Sequence, residues 1–302
     1  MNVRYINPSP EMRVSEAKDP DLLTEQPPVL ENTLQQAAPG HSGKSGKIDI
    51  SNVSIAFKAG RSKINLALDT TDLILKPGEF AAFIGPSGCG KSTLLNAVAG
   101  FVTPTTGGIA VDGVEITKPT PEIGVVFQNF ALFPWFTAIS NVTFPLKRFA
   151  MSRSERRERA FAALEEVGLA DHAHKYPGQL SGGMKQRVAI ARTLVSNPTV
   201  LLMDEPFGAL DAQTRVSMHE LLLSLWEKRR QTVMFVTHDV NEALLLADVV
   251  YVMSTAPGRV IRRIDVDSAR PRSVEHIDDI FISRRATIIG LLRQTQQAEK
   301  QQ

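Results

Sequence analysis

The nine residues GPSGCGKST, Gly85 to Thr93, have the spacing G-x-x-x-x-G-K-S. They follow the apolar run FAAFIG (Phe80–Gly85) and open the helical pattern TLLNAVAG, which is the setting a phosphate-binding loop requires. Glycine at 85, 88 and 90 lets the backbone wrap closely round phosphate with its N–H groups turned inward. Pro86, Ser87 and Cys89 complete the turn, and Thr93 carries it into the helix. Lys91 offers a point charge to the β- and γ-phosphates, and Ser92 a hydroxyl to Mg²⁺. A tight turn with a surface lysine would be the plainer reading, but it leaves the strand before and the helix after unexplained.

Three more strand ends carry suitable groups. VLLMDEP places Asp204 and Glu205 at the carboxyl end of a strand, the end outside which ligands of doubly wound sheets sit. Asp204 is expected to hold Mg²⁺ through water, and Glu205 to polarise a water for in-line attack on the γ-phosphate. Adjacent acids alone would mean only a solvated strand end; the phosphate loop decides for catalysis. His238, closing VMFVTHD, is placed to hydrogen-bond a γ-phosphate and sense its presence. Gln128, ending VVFQ, is placed to touch Mg²⁺ or the water. Cys89 has no base adjacent in sequence, so it reads as a small loop filler rather than a nucleophile; its alkylation is expected to block nucleotide entry. DHAH (Asp171–His174) has two close histidines but no further ligand cluster, and no metal site is expected there.

A second anion seat lies at LSGGM, Leu180 to Met184, where Ser181, Gly182 and Gly183 start a helical run. One chain thus carries two such seats and only one lysine-bearing loop. The second lies across a helical insertion from the first. The economical arrangement is a homodimer, head to tail about a two-fold axis, in which each chain gives its phosphate loop to one ATP and its LSGGM to the other. Ser181 and Gly183 would then reach the γ-phosphate across the seam. ATP acts as glue and hydrolysis releases it, a switch able to drive motion in an attached partner.

Strands must position these groups. IDISNVSIAF and LALDTTDLIL alternate apolar and polar residues, as half-buried strands do. Thr199–Asp204, Thr232–Thr237 and Val249–Met253, with Phe80–Gly85 and Val125–Phe127, read as buried strands, several followed by helical patterns. That is the texture of a parallel sheet with crossover helices. It disappears between Asn129 and Asn197, where Ser154–Leu169, with a serine start cap, and Ser181–Val195 are helical. One or two short helices are expected near the end, within SVEHIDDIFISRRATIIGLLRQ, and residues 1–47, rich in Pro, Ser, Gln, Glu and Gly, are expected to be mostly disordered. The 302 residues are 43% hydrophobic and 22% charged, as in an ordinary globular protein, and a net charge of +2 gives no bulk sign of nucleic-acid binding. A single cysteine allows no internal disulfide and fits a reducing cytoplasm. No stretch has the roughly 18 apolar residues of a membrane span; the longest candidate, ALLLADVVYVM, is broken by Asp248.

Taken in order, these motifs resemble the nucleotide-binding subunit of ATP-binding-cassette (ABC) transporters, over about Ile48 to Arg263. The resemblance implies an α/β fold: a P-loop NTPase core with an antiparallel β subdomain and an inserted helical subdomain. The cassette would span 48–265, its helical part about 129–197, and a short helical extension 266–302. It also implies roles. GPSGCGKS would be the Walker A loop, Gln128 the Q-loop glutamine, LSGGM the signature, and LLMDE the Walker B strand with Glu205 as catalytic base. GALD, ending at Asp211, would be the D-loop at the dimer seam, and His238 the switch histidine. Phe57 stands where the family stacks adenine on an aromatic, often Tyr; it keeps the face and loses only the hydroxyl. QNFALFPWFTAISNV (Gln128–Val142) lies where the family docks the coupling helix of an integral membrane permease, with Phe133, Trp135 and Phe136 as apolar anchors.

FPW followed by NV, then DEPFGALDAQTR and STAPGRV, resembles the nitrate/sulfonate/taurine importer group. Sugar and polyamine importers usually carry a longer C-terminal regulatory domain than the roughly 40 residues after Arg263. The expectation is therefore an ATPase on the cytoplasmic face of the inner membrane, peripheral, powering import through a separate permease fed by a periplasmic or extracellular solute-binding protein. A superfamily member acting on DNA or ribosomes would generally show a long coiled-coil insertion or a second cassette, and neither is visible. An exporter motor is the remaining rival, as is an importer for another small solute; solute choice is not written in this chain.

Overall fold

The computed structural model describes residues 45–59, 63–268, 270, 272 and 278–299. The N-terminal extension up to residue 44 lies outside the described residues.

Two sheets organise the chain. The first is antiparallel, in the order β2-β1-β4-β5, from β1 (Ile48–Ala59), β2 (Lys63–Leu75), β4 (Thr106–Val111) and β5 (Val114–Glu115). The alternation in β1 changes phase midway: Ile48 and Ile50 are buried, then Val53 and Ile55. The slip occurs at Asn52, whose φ of 51° marks a bulge in the pairing with β2. The second sheet has the order β10-β9-β3-β8-β7-β6, from β3 (Phe80–Ile84), β6 (Ile123–Val126), β7 (Val200–Asp204), β8 (Thr232–Thr237), β9 (Val249–Met253) and β10 (Val260–Asp265). All its pairings are parallel except β10 with β9. Strands β3, β8 and β9 are buried along their whole length, which is why their sequences are continuous apolar runs. One core fills each face of this sheet: Phe83 stacks on Tyr251 at 4.9 Å on one side, and Phe80 meets Phe235 and Trp226 at 5.8 Å on the other.

Between β6 and β7 the chain is helical: α2 (Ala138–Thr143), α3 (Arg153–Glu166) and α4 (Gly182–Leu194) pack on one another, with α1 (Lys91–Val98) elsewhere, against β2, β7 and β8. The start of α3 differs from the sequence expectation. Ser152, not Ser154, is its cap, in a reciprocal capping box with Glu155; S-x-x-E was present in the sequence and is the stronger signal. Past β7 come α5 (Ala212–Arg229) and α6 (Val240–Leu246). The apolar run ALLLADVVYVM is divided between α6 and β9, and Asp248 at the joint accepts from the Phe80 N–H and pairs with Arg270, at 2.9 and 2.8 Å. At the C-terminal end the described residues form one helix, α7 (Asp279–Glu299), whose 21 residues make it longer than the one or two short helices expected. Phe281 and Ile288 bury one face of it, it packs on α6 and β9, and Arg285 donates to the Asn241 side chain of α6 at 2.9 Å.

Candidate nucleotide site

The phosphate loop leaves the carboxyl end of β3 and enters α1. Gly88 and Gly90 have φ of 77° and 88°, where side chains are strained. At Gly90 space adds a second reason, because a Cβ there would lie 2.6 Å from the Ala67 carbonyl of β2. A Cβ on Gly88 would meet nothing within 4 Å, so its backbone faces an open cradle. No side chain caps α1, which leaves its first N–H groups for an anion. Lys91 is only 5% exposed, and its Nζ donates to the Gly85 and Pro86 carbonyls at 2.8 Å, within the loop it is meant to serve.

Cys89 corrects one expectation. It is 1% exposed, its Sγ lies 3.7 Å from Lys91 Nζ, and burial pushes its thiol above the usual range against the pull of Lys91. The residue is the loop filler expected, but it is poorly placed to be alkylated. Iodoacetamide at neutral pH should label it slowly in the folded protein and fully after denaturation; prompt labelling of folded protein, read by mass spectrometry, would contradict this burial.

At the same sheet edge, Ser92 Oγ donates to Asp204 Oδ1 at 2.8 Å. Burial raises the Asp204 carboxyl above its ordinary range, with the Ser92 hydrogen bond opposing. This hydroxyl and carboxylate are hard oxygen donors of the kind Mg²⁺ takes. Glu205 follows with φ of 42°, a left-handed backbone in a non-glycine residue. Its N–H donates to the Val236 carbonyl at 3.0 Å, and its Oε2 lies 3.1 Å from His238 Nδ1. Register explains the meeting: Asp204 pairs with Val236, and Ile84 with Thr237, so the ends of β7, β8 and β3 coincide. Gln128, exposed, lies two residues beyond the end of β6, the neighbour of β7. Phe57 is on the antiparallel sheet, opposite Asn65, with 43% of its surface exposed.

The residues expected as a second anion seat stand at the start of α4. Ser181 caps that helix, its Oγ accepting from Met184 N at 3.3 Å. Gly182 is exposed, whereas Gly183 is buried, with a Cβ position 2.6 Å from Thr214 Cγ2. Thr214 is held by Asp211, the cap of α5, which accepts from its N–H at 2.9 Å and its hydroxyl at 2.7 Å. Ser181–Gly183 and Asp211 are therefore linked through Thr214.

Sequence reading missed several groups here. Asn141 is buried and accepts from Phe133 N while donating to the carbonyls of Phe133, Phe136 and Thr137, at 2.8–3.2 Å. Arg192 donates to the Phe130 and Ala131 carbonyls, whose residues have φ of 50° and 48°. In the sequence Asn141 stands out only as part of the NV pair and Arg192 only as part of a helical run, so neither announces this role; the loop they hold carries Gln128 into the aromatic stretch.

The "ABC transporter" family model matches residues 68–208. A putative ATP-binding protein of Brucella abortus (strain 2308) is 53% identical over 208 residues, 69% of this chain and 80% of that protein. The nitrate import ATP-binding protein NrtD of Synechocystis sp. is 46% identical over 220 residues, covering 73% and 82%. The taurine import ATP-binding protein TauB of Yersinia pestis bv. Antiqua is 44% identical over 230 residues, covering 74% and 90%. Among solved structures, a dimeric ATP-binding cassette in a post-hydrolysis state, bound to ADP and Pi, superposes with a TM-score of 0.66 at 38% identity, covering 74% of this chain and all of that one. With the loop, the acidic strand end and the signature helix in these places, the chain belongs to the ABC transporter family as its ATP-binding, ATP-hydrolysing cassette.

Proposed function

We propose that this chain is the motor subunit of an importer for a small oxyanion or organic solute of the nitrate, taurine or alkanesulfonate type, working as a homodimer beneath a separate membrane permease. The observation that carries the enzymatic part is the convergence of Lys91, the Ser92–Asp204 pair and the Glu205–His238 pair at one sheet edge. The import part draws support from the names of the nitrate and taurine relatives.

In this reading Phe57 stacks the adenine. The Gly85–Thr93 backbone and Lys91 neutralise and orient the phosphates. Ser92, Asp204 and Gln128 hold Mg²⁺, which when bound offsets charge on the phosphate oxygens. Glu205 takes the proton from the attacking water, and His238 holds Glu205 in register from its Nδ1. Ser181, Gly182, Gly183 and Asp211 serve the nucleotide of the partner subunit. Among the described residues no helix is long and apolar enough to cross a membrane. In the proposed assembly the cassette meets the membrane through its permease, on the cytoplasmic face.

The docking surface is the aromatic group after Gln128. Phe133 packs on Phe136 and Phe144 at 5.4 and 4.8 Å, with Lys147 over the Phe144 ring. Trp135 stands at the edge of this group with 68% of its surface exposed. Trp135→Ala is expected to weaken permease binding by about 2 kcal/mol, about 30-fold in Kd, with basal hydrolysis retained. Co-purification with the permease and the ATPase rate of free subunit are the two measurements; an unweakened complex removes this surface from the interface. Uptake of nitrate, taurine and alkanesulfonate into proteoliposomes holding the whole transporter tests the solute class, and transport of none of them would overturn it.

A further inference from the structure

Glu242 is 5% exposed, and no step above uses it. A buried carboxylate is costly unless its oxygens are paired, and both are. Oε2 accepts from the Thr237 hydroxyl, and Oε1 lies 2.8 Å from His219 Nε2 of α5. The Thr237 hydroxyl in turn accepts from the Asp239 N–H at 3.0 Å. The residues on either side of His238 are thus tied to one carboxylate through one hydroxyl. Asp239 is fixed further, its Oδ1 accepting from Asn241 N and Glu242 N at 2.8 and 3.3 Å. The other end of the chain of contacts reaches the base. The His219 ring lies 5.4 Å from the Phe207 ring, two residues after Glu205, in the turn closed by Gly208 N donating to the Glu205 carbonyl.

We propose that Glu242, through Thr237 and His219, is a positioning residue that sets the His238–Glu205 geometry for hydrolysis and couples it to α5, the helix that Asp211 begins. The backbone of His238 is pinned at both neighbours while its ring stays free to meet Glu205. The same carboxylate steadies the turn that follows Glu205. This assignment rests on the reading of His238 and Glu205 as hydrolytic groups, and its test separates the two.

The experiment is a double-mutant cycle on steady-state ATPase activity of the full chain. Thr237→Val keeps the shape and removes the hydroxyl; His219→Phe keeps a ring against Phe207 and removes the bond to Glu242. Each is expected to lower kcat about tenfold with KM for ATP within about twofold, and Thr237→Ser to restore kcat. Combined with His238→Ala, neither should cause further loss, because both act through the same imidazole. A loss that adds to that of His238→Ala overturns the proposal while leaving His238 in its role. Unchanged kcat in both single variants also overturns it. If His238→Ala alone costs nothing, the hydrolytic reading of His238 fails and the positioning role falls with it. Should Thr237→Val fail to fold, the His219→Phe cycle decides alone.

Discussion

Glu205→Gln is expected to leave ATP binding intact and to remove nearly all turnover, a loss of about 10²–10⁴-fold in kcat for a positioned general base. Glutamine keeps the size and both hydrogen-bonding positions of glutamate, so the contact with His238 Nδ1 at 3.1 Å survives in altered polarity. What it loses is the ability to take a proton from water. The backbone at 205, held by the Val236 carbonyl, is not disturbed. In the proposed cycle ATP joins the two chains and hydrolysis parts them, so the variant should also accumulate as an ATP-bound dimer on gel filtration, where the parent protein returns to monomer. Hydrolysis at the parent rate would show that the base is another group.

Mixing two inactive chains should restore activity. Lys91→Ala removes the one cation whose Nζ sits among the loop carbonyls, and nucleotide affinity should fall with it; undiminished ATP binding would contradict the loop. Ser181→Arg leaves the loop intact and places a bulky charge on the exposed cap of α4. Each homodimer then has two defective sites. A mixed dimer joins the parent loop of one chain to the parent signature of the other, giving one complete site and one doubly broken. For equal amounts and random pairing, roughly a quarter of the parent activity per chain is expected if sites fire independently. Activity that stays at zero over a range of mixing ratios would argue against shared sites, provided that size and composition analysis finds the mixed dimer.

Which parts of this were legible beforehand follows from how local the signals are. The loop, the acidic strand end and the histidine each sit directly after an apolar strand, so position and chemistry appear in the same few residues. The central strands were readable because burial on both faces leaves unbroken apolar runs. Strands β4 and β5 were not read at all: β5 has two residues, both exposed, and β4 has only two buried ones. Strand β10 is an edge strand with arginines at 262 and 263 facing out, which conceals its pairing with β9. The length of α7 was not read: its 21 residues outrun the one or two short helices expected, and its packing on α6 and β9 is not a local signal. Gly183 was read as a residue reaching a γ-phosphate; that a Cβ there would lie 2.6 Å from Thr214 Cγ2 is a close approach the sequence does not show. Glu242 and His219 find their partners on other elements, and no spacing in the sequence announces them; Asn141 stands within a motif, but the loop carbonyls it holds were not foreseen.

The left-handed backbone of Glu205 has a consequence for evolution in the laboratory. Such a conformation costs a non-glycine residue about 1–3 kcal/mol, and glycine or asparagine would relieve part of it. A selection for heat tolerance alone should therefore drift towards those residues at 205, enriching robust proteins that no longer turn over. Survivors of such a screen need to be sorted by catalysis as well as by melting, because at this position the two pressures pull in opposite directions.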